Sequence, residues 1–241
     1  MSIHWWTEIQ QLRERIPVGI KPAQRLLTQT KGDVAAAVTC FHAEQTALLK
    51  EKAGVTLQEA ERFLLQAGYD FAQSLKLIEQ ERYTLTELIL LKHNKKNEAV
   101  DMIALAIEHE WNLTRHYWLS DDDLKNLPPV LRCFMLVCEW RNYDGWEDFS
   151  SALFFELTMY CEQLTMLGLH KLAATLMTAR KYYDELLSVH GKKAHEIVCQ
   201  DKRFNALEVL YHQQEDAIDD ALVTLAKNNL DVFPCRHQKV P

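Results

Sequence analysis

The stretch PVGIKPAQRLLTQTKGDVAAAVTCF, residues 17–41, returns 37 residues later as GVTLQEAERFLLQAGYDFAQSLKLI, residues 54–78. Val18-Gly19-Ile20 falls on Val55-Thr56-Leu57, Ala23 on Ala60, Arg25 on Arg62, Leu26-Leu27 on Phe63-Leu64, and Asp33 on Asp70. Further along, Ala35, Val38 and Phe41 fall on Ala72, Leu75 and Ile78, and upstream Leu12 and Glu14 fall on Leu49 and Glu51. A fixed internal period points to a repeated supersecondary unit. Each copy reads as three short helices. In the first copy Ile9, Leu12 and Ile16 form one helical face, and Pro17-Val18-Gly19 breaks it. Pro22 suits a first helical turn, Ala23, Leu26 and Leu27 make the second stripe, and Lys31-Gly32 ends it. Asp33 stands where an N-cap belongs, ahead of Val34, Ala37, Val38 and Phe41. In the second copy Thr56 and Glu59 have the spacing of a capping box, Gly68-Tyr69 is the stop and Asp70 the cap.

Beyond the repeat the pattern stays helical. Leu85, Leu88, Ile89 and Lys92 are turn-spaced, residues 93–97 read as a polar loop, and Ala99, Val100, Ile103, Ala106 and Ile107 form the next stripe. Ser120-Asp121-Asp122-Asp123 reads as an acidic capping box. After Pro128-Pro129 comes an almost wholly apolar helix through Trp140, expected at the centre of a second core. Asn142-Tyr143-Asp144-Gly145-Trp146 reads as a turn, and Gly168 as the stop of a later helix that precedes Leu172, Ala173, Leu176 and Ala179. The expected fold is all-α, with tandem three-helix modules over residues 1–83 and a larger helical domain over 84–241.

Composition agrees with a helical chain. The 241 residues include only 7 glycines and 6 prolines, with 48% hydrophobic and 25% charged residues. Charges balance over the first 83 residues, so the whole net charge of −7 falls in the remainder. An acidic C-terminal part argues against direct nucleic-acid binding there. Six cysteines without a C-x-x-C pair suit reduced thiols in a cytoplasmic protein, and neither a leader nor a membrane span is expected.

The run Leu12-Arg13-Glu14-Arg15, Val18-Gly19-Ile20, Ala23, Leu26-Leu27, Gly32-Asp33 and Ala36-Ala37 resembles the ubiquitin-associated-like (UBA-like) three-helix module, above all the version at the N-terminus of bacterial elongation factor Ts. Gly54, Ala60, Phe63-Leu64, Asp70 and Ala72 carry the likeness in the second copy. The resemblance implies a hydrophobic docking patch built from the loop between the first two helices. The corresponding partner-binding positions are Val18, Gly19 and Ile20, and Val55, Thr56 and Leu57. The alternative is that these side chains pack inside. The Thr-Asp-Phe-Val motif of the exchange-factor core and the Met-Gly-Phe/Tyr ubiquitin loop are both absent, so neither nucleotide exchange nor ubiquitin binding is implied. Residues 133–180, through Asn142, Gly145, Trp146, Phe149, Leu164, Leu167-Gly168, Ala173-Ala174 and Leu176, resemble a small bacterial helical domain, one member of which is a DNA mimic. That likeness implies an acidic, protein-binding domain.

No pattern states a reaction. His195 and Cys199 are four apart and Cys235 and His237 two apart, but the spacings match no zinc motif. Glu108-His109-Glu110 with His116 is not H-E-x-x-H and reads as a polar helical face, and neither a nucleophile elbow nor a glycine-built phosphate loop is present. Glu215-Asp216 and Asp219-Asp220 read as a solvated face. Arg180-Lys181, Lys192-Lys193 and Lys202-Arg203 read as scattered surface charge. Trp5-Trp6 and the group Trp111, Tyr117 and Trp118 are candidate interface anchors or core residues. The expectation is a non-enzymatic adaptor that docks a protein partner, with no cofactor, metal or catalytic residue. The first alternative is an acidic polyanion mimic that regulates nucleic-acid-binding proteins, and the second is an enzyme with a helical site, betrayed by a pocket of convergent titratable groups.

Overall fold

A computed structural model describes residues 5–235, and all regular structure among them is helical. The chain divides into two compact units, Met1–Arg82 and Tyr83–Pro241.

The first unit contains α1 (Trp6–Arg15), α2 (Ile20–Gln29), α3 (Val34–Ala53), α4 (Leu57–Gln66) and α5 (Phe71–Arg82). Two small cores lie in it. Ile9, Leu12, Ile16, Val18, Ala23, Leu26, Leu27, Ala37 and Phe41 fill one, and Leu49, Val55, Ala60, Phe63, Leu64 and Ile78 the other. One helix serves both, which corrects the expectation of six separate short helices. Residues 34–53 contain neither Gly nor Pro, so nothing in α3 ends the helix until Gly54 takes a left-handed conformation at φ 60°.

The bonds of the two halves recur at the 37-residue offset. The Ala36 N–H donates to Asp33 Oδ1 at 3.0 Å and the Gln73 N–H to Asp70 Oδ1 at 2.9 Å. The Gly32 N–H reaches Leu27 O at 2.8 Å and the Tyr69 N–H reaches Leu64 O at 2.7 Å, the long bond of a Schellman turn in each case. Arg25 pairs with Glu44 and Arg62 with Glu81, each across 19 residues. The turns differ in one respect. Both central residues have positive φ, but glycine comes second in Lys31-Gly32 and first in Gly68-Tyr69. A Cβ on Gly32 would collide with the Trp5 ring, whereas one on Gly68 would meet nothing.

The second unit begins with α6 (Leu85–Lys92) and α7 (Lys96–Glu110). The loop between them is shorter than expected, since Lys96 and Asn97 are already helical. The short α8 (Asp121–Leu124) follows, with Ser120 and Asp123 forming the expected capping box. Next comes α9 (Pro129–Trp146), buried at every position from 133 to 140 and central to the unit's core. Asn142–Trp146 is therefore its last turn and not a separate turn. Tyr143 stacks on Phe155 with ring centroids 4.3 Å apart, and Asp144 is buried. This packing outweighs the helix propensity lost at Asn, Asp and Gly, about 1 kcal/mol at most per residue. The break falls at Glu147-Asp148, where Asp148 Oδ1 accepts from the Ser151 N–H at 2.7 Å.

The remaining helices are α10 (Phe149–Ala152), α11 (Leu157–Met166), α12 (His170–His190), α13 (Ala194–Val198), α14 (Lys202–His212) and α15 (Glu215–Asn228). Gly168, at φ 79°, ends the turn after α11 as its sequence position predicts. The core closes around Trp140. Its ring stacks on Tyr160 at 4.2 Å, its indole N–H donates to Ala152 O at 3.1 Å, and the Tyr160 and Tyr211 hydroxyls share a buried hydrogen bond of 3.0 Å. Burial pushes both tyrosines well above the usual phenol range.

Candidate functional site

The six positions marked for docking divide by direction. Val18 and Val55 are buried, one in each small core. The alternative of inward packing applies to these two, because each plugs the mouth of its own three-helix core. Gly19 and Thr56 are the N-caps of α2 and α4, in nearly the same extended conformation, with ψ 163° in both. Thr56 and Glu59 form the capping box: the Glu59 N–H donates to Thr56 Oγ1 at 3.2 Å and the Thr56 N–H to Glu59 Oε2 at 2.8 Å. Ile20 and Leu57, the first residues of their helices, point outward at 49% and 57% exposure. Beside the first turn lies a groove of about 790 Å³, lined by Trp6, Gln10, Arg13, Ile16, Val18 and Ile20. Of the Trp5-Trp6 pair, Trp5 packs against the first small core and Trp6 is exposed at this groove.

The second unit holds a cluster of ionisable groups that the sequence does not announce. Glu139 lies on the buried face of α9, where it accepts from the Leu119 N–H at 2.7 Å and from Arg115. Arg115 also binds Glu108. Burial alone would lower the Arg115 pKa, but the hydrogen bonds it donates to the two carboxylates more than offset this and hold the guanidinium charged. Two residues beyond Glu139, Arg141 pairs with buried Asp219 of α15. The reading of Asp219-Asp220 as a solvated face thus holds for Asp220, which is exposed and pairs with Lys96, and is corrected for Asp219. Glu108 likewise leaves the polar face assigned to it, since Arg115 folds back over it.

Asp144 lies at the end of the same helix, with only 6% of its side chain exposed. Its Oδ1 is buried without a hydrogen-bond partner, and its Oδ2 is 3.8 Å from His212 Nδ1. Burial pushes the Asp144 carboxyl up to about 6, with His212 pulling in the opposite direction. His212 Nδ1 is also 2.7 Å from Glu215 Oε1. These residues border a cavity of about 290 Å³ whose wall also includes Asp101, Arg141 and Asn142. Burial raises the Asp101 pKa as well. A second cavity of about 510 Å³ shares Asp101, Cys138 and Asn142 with it and carries Tyr117, Trp118 and Trp146 on its wall. Tyr117 and Trp146 are largely exposed, while Trp118 is held against Tyr143 and Phe155.

The structure keeps the other candidate ligands apart from this cluster. His195 Nδ1 faces the Tyr183 hydroxyl at 3.2 Å, Cys199 and Cys235 are exposed free thiols, and His237 lies outside the described residues. Cys133 and Cys161 are buried thiols pushed up to about 11 by desolvation, and all six cysteines are free. Arg180 is held by Asp184 and the Leu153 carbonyl, and Arg203 lies over the Tyr182 ring. One signal could have exposed the cluster: Glu139, Arg141 and Asp144 interrupt a helix that is otherwise largely apolar on every side, where a buried helix should carry no charge. The partners from α14 and α15 are more than 60 residues away in sequence, and no local pattern links them.

These features define an all-helical protein with a paired-core N-terminal unit and a larger unit carrying buried charges. The chain is 46% identical over 237 residues to a protein of Escherichia coli (strain K12) described as "Uncharacterized protein YfbN", covering 98% of this chain and 99% of that one. Residues 84–231 match the family described as the YfbN C-terminal domain. The chain belongs to the YfbN family, and the helical domain expected around residues 133–180 falls inside the match. No solved structure matches it. No helix among the described residues is long and apolar enough to cross a membrane.

Proposed function

We propose that the protein is a non-enzymatic interaction protein whose N-terminal unit is a pair of UBA-like modules that docks another protein. The observation that carries this reading is the matched placement of Ile20 and Leu57. Two large apolar side chains stand in solvent at the first position of equivalent helices, each beside a valine that anchors its turn. Single exposed apolar residues are common and mean little. The groove beside Ile20, with Trp6 on its rim, adds an aromatic side chain of the kind that anchors protein interfaces. The occupant that suits it is a short apolar segment of a partner protein, flanked by polar groups that can meet Arg13 and Glu14.

The test uses the full chain. Ile20→Asp and Leu57→Asp, singly and together, should abolish capture of a partner bound by the wild type, with helicity by circular dichroism unchanged. Val189→Asp, at an exposed apolar site in the other unit, should leave capture intact. Equal capture by all the variants would sink the reading. The polyanion-mimic alternative draws support from the exposed run Asp121–Asp123 and the acidic second unit. It requires competition with DNA for a basic protein that fades as salt rises.

A further inference from the structure

We infer that Asp144, His212 and Glu215 form a binding site for a divalent transition-metal ion of the zinc type. One ligand atom from each residue lies within 4.8 Å of the other two. Zinc at its usual bond lengths of about 2.0–2.2 Å to nitrogen and oxygen holds tetrahedral ligand atoms roughly 3.3 Å apart. The two measured edges, 3.8 Å from Asp144 to His212 and 2.7 Å from His212 to Glu215, bracket that value.

The acidic character of the corner does not make the case, because exposed carboxylates gather on many surfaces. What singles out this corner is the state of Asp144. A carboxylate more than nine-tenths buried, with one oxygen lacking any hydrogen-bond partner, is costly unless something neutralises it. Arg141, on the same cavity wall, is bound to Asp219, and the contact to His212 is made by the other carboxylate oxygen. A divalent ion would satisfy the open carboxylate, and two carboxylates with a neutral imidazole balance its charge. Glu208 Oε1 lies 3.9 Å from the other ring nitrogen, His212 Nε2, and has to close to hydrogen-bond distance to orient a ligating histidine. Three protein ligands would leave a fourth position for water, and all three residues line the 290 Å³ cavity.

The experiment is calorimetric titration of chelator-stripped full-length protein with Zn²⁺, with bound metal counted by elemental analysis. The wild type should take up one ion per chain. His212→Ala should lose that stoichiometric binding while keeping its helicity. Glu215→Gln, at a half-exposed position that folding tolerates, should lose it as well, which keeps the test decisive if Asp144→Asn fails to fold. Glu208→Gln should weaken binding about 10-fold, and His195→Ala should bind as the wild type does. Absence of stoichiometric uptake by the wild type, or undiminished uptake by His212→Ala and Glu215→Gln, would overturn the assignment. Neither result depends on whether the N-terminal unit docks a partner.

Discussion

The two units handle charge in opposite ways. In the first, the repeated ion pairs Arg25–Glu44 and Arg62–Glu81 lie in solvent, and the buried polar side chains, Thr46 and Ser74, donate to carbonyls of neighbouring turns. In the second, Glu139, Asp144 and Asp219 are buried, and the first and last of these hold cations from distant segments. A surface ion pair adds little to stability because water screens it and two long side chains must be ordered. A buried charge that loses its partner is expensive. The first unit is thus held by apolar stripes and well-capped turns, while the second also depends on polar contacts that cannot be broken cheaply.

The hardest test of that contrast is Glu139→Ala. It removes the acceptor of the Leu119 N–H and one of the two partners of Arg115, and should destabilise the second unit by about 3 kcal/mol, read from urea unfolding. A loss near that of an ordinary surface substitution would show that the buried charges are bystanders. Within the first unit the two Schellman turns should separate. Gly32→Ala places a methyl group into the Trp5 ring at φ 86° and should cost about 2–3 kcal/mol. Gly68→Ala, at φ 60° with open space around it, should cost about 1 kcal/mol. Equal costs would remove Trp5 as the difference between the turns.

A smaller effect is expected from His42, which stacks on Tyr69 at 3.6 Å and whose pKa is lowered by burial from its ordinary 6.5. The fold favours the neutral ring, so unfolding takes up a proton below 6.5. This contribution to stability is fully present above 6.5 and is lost as pH falls through the lowered value. His42→Gln should flatten that part of the unfolding free-energy profile relative to the wild type, and an unchanged slope would count against it. Last, Arg25→Ala and Arg62→Ala should leave the thermal midpoint unshifted within error, in low and high salt alike.

The docking positions and the ionisable cluster were unequally legible for the same reason. Thr56 with Glu59 announces a cap and Pro17-Val18-Gly19 a break, so Ile20 and Leu57 could be placed beside their turns from sequence alone, while the N-cap role of Gly19 came from the structure. Whether Val18 and Val55 turn inward depends on how three helices close, which no local spacing decides. Asn142–Trp146 carries the residues of a turn, yet Tyr143 on Phe155 and buried Asp144 keep it helical. His212 and Glu215 have an ordinary helix-end spacing and acquire meaning only beside Asp144, 68 residues earlier in the chain.

The sequence by itself determined the helical class, the 37-residue offset, the caps at Asp33, Thr56, Asp70 and Ser120, and the apolar stripes. These follow from interactions within four residues along the chain, where backbone geometry and hydrophobic period suffice. Only the tertiary structure decided that α3 serves two cores, that α9 runs on to Trp146, and which carboxylates leave water. Each of these turns on the packing of segments far apart in sequence, where burying one apolar ring or pairing one charge outweighs the roughly 1 kcal/mol by which local preferences differ.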